Sequence, residues 1–376
     1  MKSRVWSKID FSATGMQADY ARVPYSSDIS AYGWIPVPIL CFNGGSGPTA
    51  LLTAGTHGDE YEGQIALRNL ARELSSSANL RGRIIMLPAL NWPAVSAGRR
   101  NSPLDGGNLN REFPGHANGG PTAMIAHYVT SELFPLADVV IDLHSGGRSL
   151  DYLPVALARS GRNDAEAAAI LRLLKSFDAP FGGITDGAAA GAGSTLYAAA
   201  EQHGIPALTT ELGFGATLSQ QGLRIAERGL RRVLHDYEIL PVMDRIEPGS
   251  SVILKYQSPR NSIYAPCDGL FEAFAKPADE VKANQPAGRV YPLGDVAAEP
   301  VELKFPASGV VAYRRFPTLA HTGDALFGLM SVMEDCGVIL ALHGHAPRVP
   351  RANSVSFAST EHDLAGSKPL PKSASD

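Results

Sequence analysis

Cysteine is scarce in this chain of 376 residues: Cys41, Cys267 and Cys336 are far apart, odd in number and in no Cys-x-x-Cys pair. That spacing fits reduced structural thiols better than a disulfide frame. Long apolar runs are also missing; although 44% of the residues are hydrophobic, none of the runs approaches the roughly 18 residues of a membrane span. The opening segment, MKSRVWSKIDFSATG, lacks the apolar stretch and small-residue cleavage site of an export signal, so a cytoplasmic protein is expected. A net charge of -4 without a basic stripe speaks against nucleic acid as a partner, and neither membrane nor nucleic acid is expected to bind.

What is present is a globular composition and a length suited to two domains. From about Pro48 to Leu240, apolar runs bounded by Gly, Pro or Asn alternate with segments of three- and four-residue apolar spacing, the pattern of an α/β sheet covered by helices. Strands are expected at TALLTAG (49–55), RIIMLPAL (83–90), ADVVIDLH (137–144), DYLPVALA (151–158) and IPALTTELG (205–213). Helices are expected in EGQIALRNLARELSS, TAMIAHYVTSELFPLA, DAEAAAILRLLKSF, STLYAAAEQHG and LSQQGLRIAERGLRRVLHDYEIL.

After about Asp244 short β-like runs take over, up to about His343. The expected organisation is a catalytic α/β domain over 1–243, with a β-rich lead-in over 1–47, then an all-β accessory domain over 244–345 and a disordered Pro-, Ser- and Ala-rich tail over 346–376. Within the accessory part, YAPCDGLFEAF (264–274) and KFPASGVVAYR (304–314) share Pro and Gly at the same offset, and RVYPL after Gly288 corresponds to LMSVM after Gly328. This repeat resembles the two halves of a biotinyl/lipoyl-type β-sandwich. No lysine stands at the hairpin where such carriers attach a cofactor, so a structural cap is expected.

The segment TAGTHGDEYEG places His57 and Glu60 three apart, after a strand and at the start of a helix. Positions i and i+3 share a face, so an imidazole and a carboxylate can converge on one ion. His144 closes the strand ADVVIDLH and precedes Ser-Gly-Gly; strand ends are where open α/β sheets put their sites. Two His and one Glu with an open fourth position form the ligand set of a catalytic zinc site. Asp142, two residues before His144, points to the same side of its strand and suits a carboxylate supporting that imidazole. A merely solvated or core-capping Asp142 is the competing possibility.

Glu211 ends another apolar strand and should reach the same rim, as a carboxylate able to shuttle protons to a poor leaving nitrogen. A structural carboxylate paired with an arginine is the alternative. The segment GRRNSPLDGGNLNREFPG (98–115) contains Arg99, Arg100, Asn110 and Arg111. Guanidinium groups bind carboxylates in a two-pronged way and polarise a carbonyl that is becoming an oxyanion, so an anionic substrate is expected.

GTHGDEYEG, NLNREFPG, DLHSGG and TTELG, in this order, closely resemble the succinylglutamate desuccinylase/aspartoacylase family of zinc amidohydrolases. The resemblance covers roughly residues 30 to 340. It implies a zinc-carboxypeptidase-like mixed sheet flanked by helices, one Zn2+ per chain on His57, Glu60 and His144, and Glu211 as general base and acid. It further implies that Asn110 and Arg111 bind the substrate carboxylate and that Arg100 polarises the scissile carbonyl, with Arg99 as the alternative. AYGWIPVPI (31–39), SPLDGGNLNREFPG, MIAHYV and DLHSGGRSLDYLP look like one branch, the N-α-acetyl-L-2,4-diaminobutyrate deacetylases of ectoine breakdown. That branch implies a small-molecule N-acyl amino acid substrate whose side-chain ammonium would be met by Asp151, Tyr152 or Asp186. The stretch GGITDGAAAGAG (182–193) is expected as a rim loop or a plain connection. The competing functions are a carboxypeptidase or a deacylase for acidic acyl groups, and a metal-free binding protein on the same scaffold. Oligomeric state stays open, a homodimer being one expectation.

Overall fold

Strict alternation in GWIPVPILC buries Ile35, Val37, Ile39 and Cys41 on one face, and the result is a long antiparallel pair, β1 (Gly15–Tyr25) and β2 (Gly33–Asn43). The runs without alternation are buried on both faces and make the centre of the sheet. They are β3 (Thr49–Ala54), β4 (Arg83–Leu87) and β5 (Val139–Leu143). Next come β6 (Leu150–Tyr152), β7 (Val155–Arg159), β8 (Phe181–Thr185), β9 (Ala207–Glu211) and β10 (Val252–Tyr256). The spatial order is β1-β2-β4-β3-β5-β9-β7-β8-β10, with β4, β3, β5 and β9 parallel and β7 antiparallel to β9. The run expected as one strand over 151–158 is two, β6 and β7, separated at Leu153 and Pro154, where proline has no N–H to give to a ladder. This computed structural model describes residues 2–76, 80–185, 193–241 and 251–333.

Helices α1 (Glu62–Ser76), α2 (Trp92–Ala97), α3 (Pro121–Tyr128), α4 (Asp164–Phe177), α5 (Leu196–Gln202) and α6 (Gln220–Asp236) flank the sheet. Leu67 and Leu70 of α1, Leu173, Leu174 and Phe177 of α4 and Leu230 and Leu234 of α6 pack together against one face. Tyr128, Val129, Phe134 and Leu196 cover the other, together with β1 and β2. Side-chain caps start α4 and α6: Asn163 accepts from the N–H of Glu166 and Ser219 from that of Gly222, both at 3.0 Å, each contributing on the order of 1 kcal/mol. Among the described residues, no helix is long and apolar enough to cross a membrane. Cys41 is buried and Cys267 half-buried, both as free thiols.

From Ile263 onward the described elements are strands: β11 (Ile263–Tyr264), β12 (Gly269–Ala273), β13 (Glu280–Val281), β14 (Pro286–Pro292), β15 (Val301–Lys304), β16 (Gly309–Arg315), β17 (Leu319–Ala320) and β18 (Ala325–Val332). They form two layers, β15-β14-β12-β17 and β11-β18-β16-β13. β11 matches β15, β12 matches β16, β13 matches β17 and β14 matches β18, and each layer takes strands from both halves, so the repeat read in the sequence is a pseudo-two-fold. Phe271, Val290, Phe305, Val311 and Phe327 fill the space between the layers. The repeated glycines mark equally crowded points: a Cβ on Gly269 would meet Val290 at 2.4 Å, and one on Gly309 would meet the Met330 carbonyl at 2.7 Å.

The second layer continues the large sheet through β10 and β18, and β16 also pairs with β6, with Arg314 bound to Asp151 at 3.0 Å. These elements lie in one compact unit, Met1–Asp335. Cys336, Asp186 with most of the 182–193 stretch, the boundary expected near residue 244 and the tail expected over 346–376 lie outside the described residues.

Candidate metal centre

Because β3, β5 and β9 are parallel neighbours, their C-terminal ends open on one rim of the sheet. His57 and Glu60 lie in the connection from β3 to α1, His144 directly follows β5, and Glu211 is the last residue of β9. The turn after β3 is pressed against α2: a Cβ on Gly58 would stand 2.1 Å from the Ala94 backbone. His57, Glu60 and His144 are all at most 3% exposed, and one ligand atom from each lies within 4.8 Å of the others.

Nδ1 of His57 is 2.8 Å from Oε1 of Glu60, and Nδ1 of His144 is 2.8 Å from Oε2 of the same carboxylate. Each ring turns its other nitrogen to an oxygen as well. Nε2 of His144 meets Asp142 Oδ2 at 2.7 Å, and Nε2 of His57 meets Asn108 Oδ1 at 3.1 Å. A neutral imidazole has one N–H and one lone pair. With the protons held at Nε2, both lone pairs face the Glu60 carboxylate, an arrangement that calls for positive charge among the three side chains. A divalent cation supplies it, and a buried His-Glu-His donor set fits zinc.

Asp142 is fully buried and saturated on its other oxygen, Oδ1, by the hydroxyls of Thr53 at 2.7 Å and Thr56 at 2.9 Å. Thr210 receives the His144 backbone N–H at 3.0 Å and donates back to its carbonyl at 3.1 Å. Of the two possibilities open for Asp142, the structure has the imidazole-supporting one.

Burial raises the Glu60 carboxyl pKa, but the two imidazoles outweigh it and leave it well below the usual range. Burial lowers the pKa of both histidines. For His57 it prevails over Glu60; for His144 the Asp142 and Glu60 carboxylates prevail and the pKa rises well above the ordinary value. Burial, and then the negative charge of Glu60, raise the Glu211 pKa well above its ordinary value, against His144 and Arg100. Its Oε2 is buried without a hydrogen-bond partner among the described residues.

Arg100 reaches the group from the exposed side, with Nη1 3.4 Å from Glu60 Oε1 and 3.2 Å from His57 Nδ1. Arg99 offers its carbonyl to the Gly58 N–H at 2.8 Å. The 3-10 turn Leu109–Arg111 carries Asn110, whose Oδ1 accepts the Leu196 N–H at 2.9 Å. Arg111 stands exposed at the rim and bonds the Asn110 carbonyl at 2.7 Å. Partial burial of its guanidinium, and then Arg100, lower the Arg111 pKa, so two cations crowd one another beside Glu211. An anion between them would relieve that repulsion. Thr53, Thr56, Thr210 and Asn108 all lie inside the quoted motifs TAGTHGDEYEG, TTELG and NLNREFPG, but hydroxyl and amide partners leave no spacing signal and none of the four stood out in the sequence.

Residues 46–237 match the model of the succinylglutamate desuccinylase/aspartoacylase catalytic domain. The chain is 38% identical over 335 residues to the N-α-acetyl-L-2,4-diaminobutyric acid deacetylase of Halomonas elongata, covering 89% of this chain and 97% of that protein. Among solved structures it resembles the product-bound ectoine utilization protein EutE (DoeB) of Ruegeria pomeroyi, with a TM-score of 0.84, 36% identity, and 88% and 100% of the two chains covered. A succinylglutamate desuccinylase/aspartoacylase from Rhodobacter sphaeroides follows at TM-score 0.82 and 36% identity, with 89% and 100% covered. The chain belongs to the succinylglutamate desuccinylase/aspartoacylase family and is an N-acyl amino acid deacylase.

Proposed function

We propose that this enzyme is a zinc-dependent amidohydrolase that removes the acetyl group from N-α-acetyl-L-2,4-diaminobutyrate, giving acetate and the free diamino acid. The observation that carries the substrate is the likeness to the Halomonas elongata deacetylase along nearly its whole length. His57, Glu60 and His144 would hold one zinc ion. When bound, zinc supplies Lewis acidity, which makes water a nucleophile at neutral pH and polarises a carbonyl.

The remaining steps fall to the chain's own residues. Glu211, with a raised pKa and an unpartnered Oε2, takes the proton of the attacking water and delivers it to the leaving α-nitrogen. Arg100 stabilises the carbonyl oxygen as it gains charge, and Arg111 with Asn110 holds the α-carboxylate. Asp151 is committed to Arg314 and is a poor partner for the substrate ammonium. Tyr152, tilted against Tyr313 with ring centroids 5.1 Å apart and within electrostatic reach of Glu211, is the better candidate. The division into a catalytic body over 1–243 and a capping β region over 244–345, with 346–376 as a tail, belongs to the same proposal. So does a cytoplasmic location, which the free thiols Cys41 and Cys267 suit.

The Rhodobacter sphaeroides neighbour favours a second reading, deacylation of an acidic acyl amino acid. A panel of N-acyl amino acids on zinc-replete enzyme separates the two. N-α-acetyl-L-2,4-diaminobutyrate should give the highest kcat/KM; equal or better turnover of N-acetylaspartate or N-succinylglutamate would remove the diaminobutyrate assignment.

A further inference from the structure

Asn108 has been given no part in holding metal or substrate, yet one of its atoms touches both machineries. Its Oδ1 receives the backbone N–H of Asn110 at 3.1 Å and so caps the turn Leu109–Arg111. The same oxygen lies 3.1 Å from Nε2 of His57. A backbone N–H only donates, so this atom is an acceptor, and the proton of the His57 ring belongs on Nε2. Nδ1 then keeps its lone pair on the side where Glu60 and Nδ1 of His144 converge. The approach of Arg100 Nη1, a pure donor, to Nδ1 at 3.2 Å agrees with that.

We infer that Asn108 is a positioning residue that couples the metal group to the substrate clamp: one side-chain oxygen fixes the tautomer and orientation of His57 and holds the turn that presents Asn110 and Arg111. The inference rests on the metal-site reading above. It separates the two imidazoles by the chemistry behind them, since His144 leans on a buried carboxylate and His57 on a neutral amide. A shift of the turn that carries Arg111 therefore moves the hydrogen bond behind His57, and binding of a substrate carboxylate and of metal are linked through this residue.

Three variants of the full chain test this, each read by zinc(II) affinity of the metal-stripped protein in chelator competition, with KM and kcat on zinc-saturated protein. Asn108→Ser keeps a capping oxygen for the Asn110 N–H but is too short to reach His57. It should bind zinc about 10- to 100-fold more weakly, the usual effect of losing a hydrogen-bond partner behind a ligand, with KM little changed. Asn108→Asp keeps both acceptor roles and should stay within a few-fold of the wild type in zinc affinity, which also guards against a folding defect. Asn108→Ala loses the cap as well and should add a rise in KM.

Wild-type zinc affinity in Asn108→Ser, or affinity in Asn108→Asp as poor as in Asn108→Ser, would overturn the orienting role. Equal KM in the Ser and Ala variants would overturn the coupling. Failure of the wild type itself to bind zinc would overturn the metal-site reading, and this inference with it.

Discussion

Glu60, buried, and Glu211, half-buried, are carboxylates on one rim with opposite tendencies. Glu60 is held ionised by two imidazoles, while Glu211 is pushed toward its protonated form by burial and by Glu60 itself. Carboxylates driven apart in this way suit the separate duties proposed for them, one as a ligand and the other as a proton carrier. Glu211→Gln should retain stoichiometric zinc, because Glu211 is outside the His-Glu-His group, and lose about 10²- to 10⁴-fold in kcat, the usual share of a general acid–base. Metal analysis beside steady-state kinetics checks this, and loss of metal from the variant would show that the residue has been misassigned. At this scale the sequence was most legible where chemistry and spacing coincide, as in His57-x-x-Glu60. It was blind to Thr53, Thr56 and Thr210, whose hydroxyls find their partners only through the register of β3, β5 and β9.

Secondary-structure elements set how far those side chains can stray. α1 lies so close to β5 that a Cβ on Gly63 would stand 2.4 Å from that of Leu143, the residue before His144. Both atoms sit on main chain, so neither can swing away. Gly63→Ala should cost about 1–3 kcal/mol of stability, the usual result of overpacking, and should weaken zinc binding because the shift reaches His144. A thermal melt with and without zinc reads both effects; an unchanged melt would mean that α1 and β5 yield more easily than their contact implies. The strands β3, β4, β5 and β9 were readable because strands buried on both faces are written as short, mainly apolar runs without alternation. α2 and β8 were not: Trp92–Ala97 is six residues long, and Phe181–Thr185 is rich in glycine, so neither offers a period long enough to detect.

Over the whole molecule, the sheet that carries the site does not stop where helical spacing stops. β10 pairs with β8 and β18, and β16 pairs with β6, so the C-terminal strands are bonded into the catalytic sheet. The repeat in this region was legible as Pro and Gly at a fixed offset. Its exchange of strands between layers was not, since pairing over long separations leaves no local mark. Arg314 holds Asp151 across the β6–β16 contact, and the Tyr152 and Tyr313 rings meet at a tilt at the same place, so the β region is tied to the catalytic sheet beside Tyr152.

One metal ion on His57, Glu60 and His144 should enable the proposed acetyl-amide hydrolysis. Zinc titration of chelator-stripped enzyme, with N-α-acetyl-L-2,4-diaminobutyrate as substrate, tests it most directly. Activity should be absent without metal and should rise linearly to a plateau at one equivalent of zinc per chain. Full activity of the stripped protein, or a protein that neither binds zinc nor gains activity from it, would contradict the account.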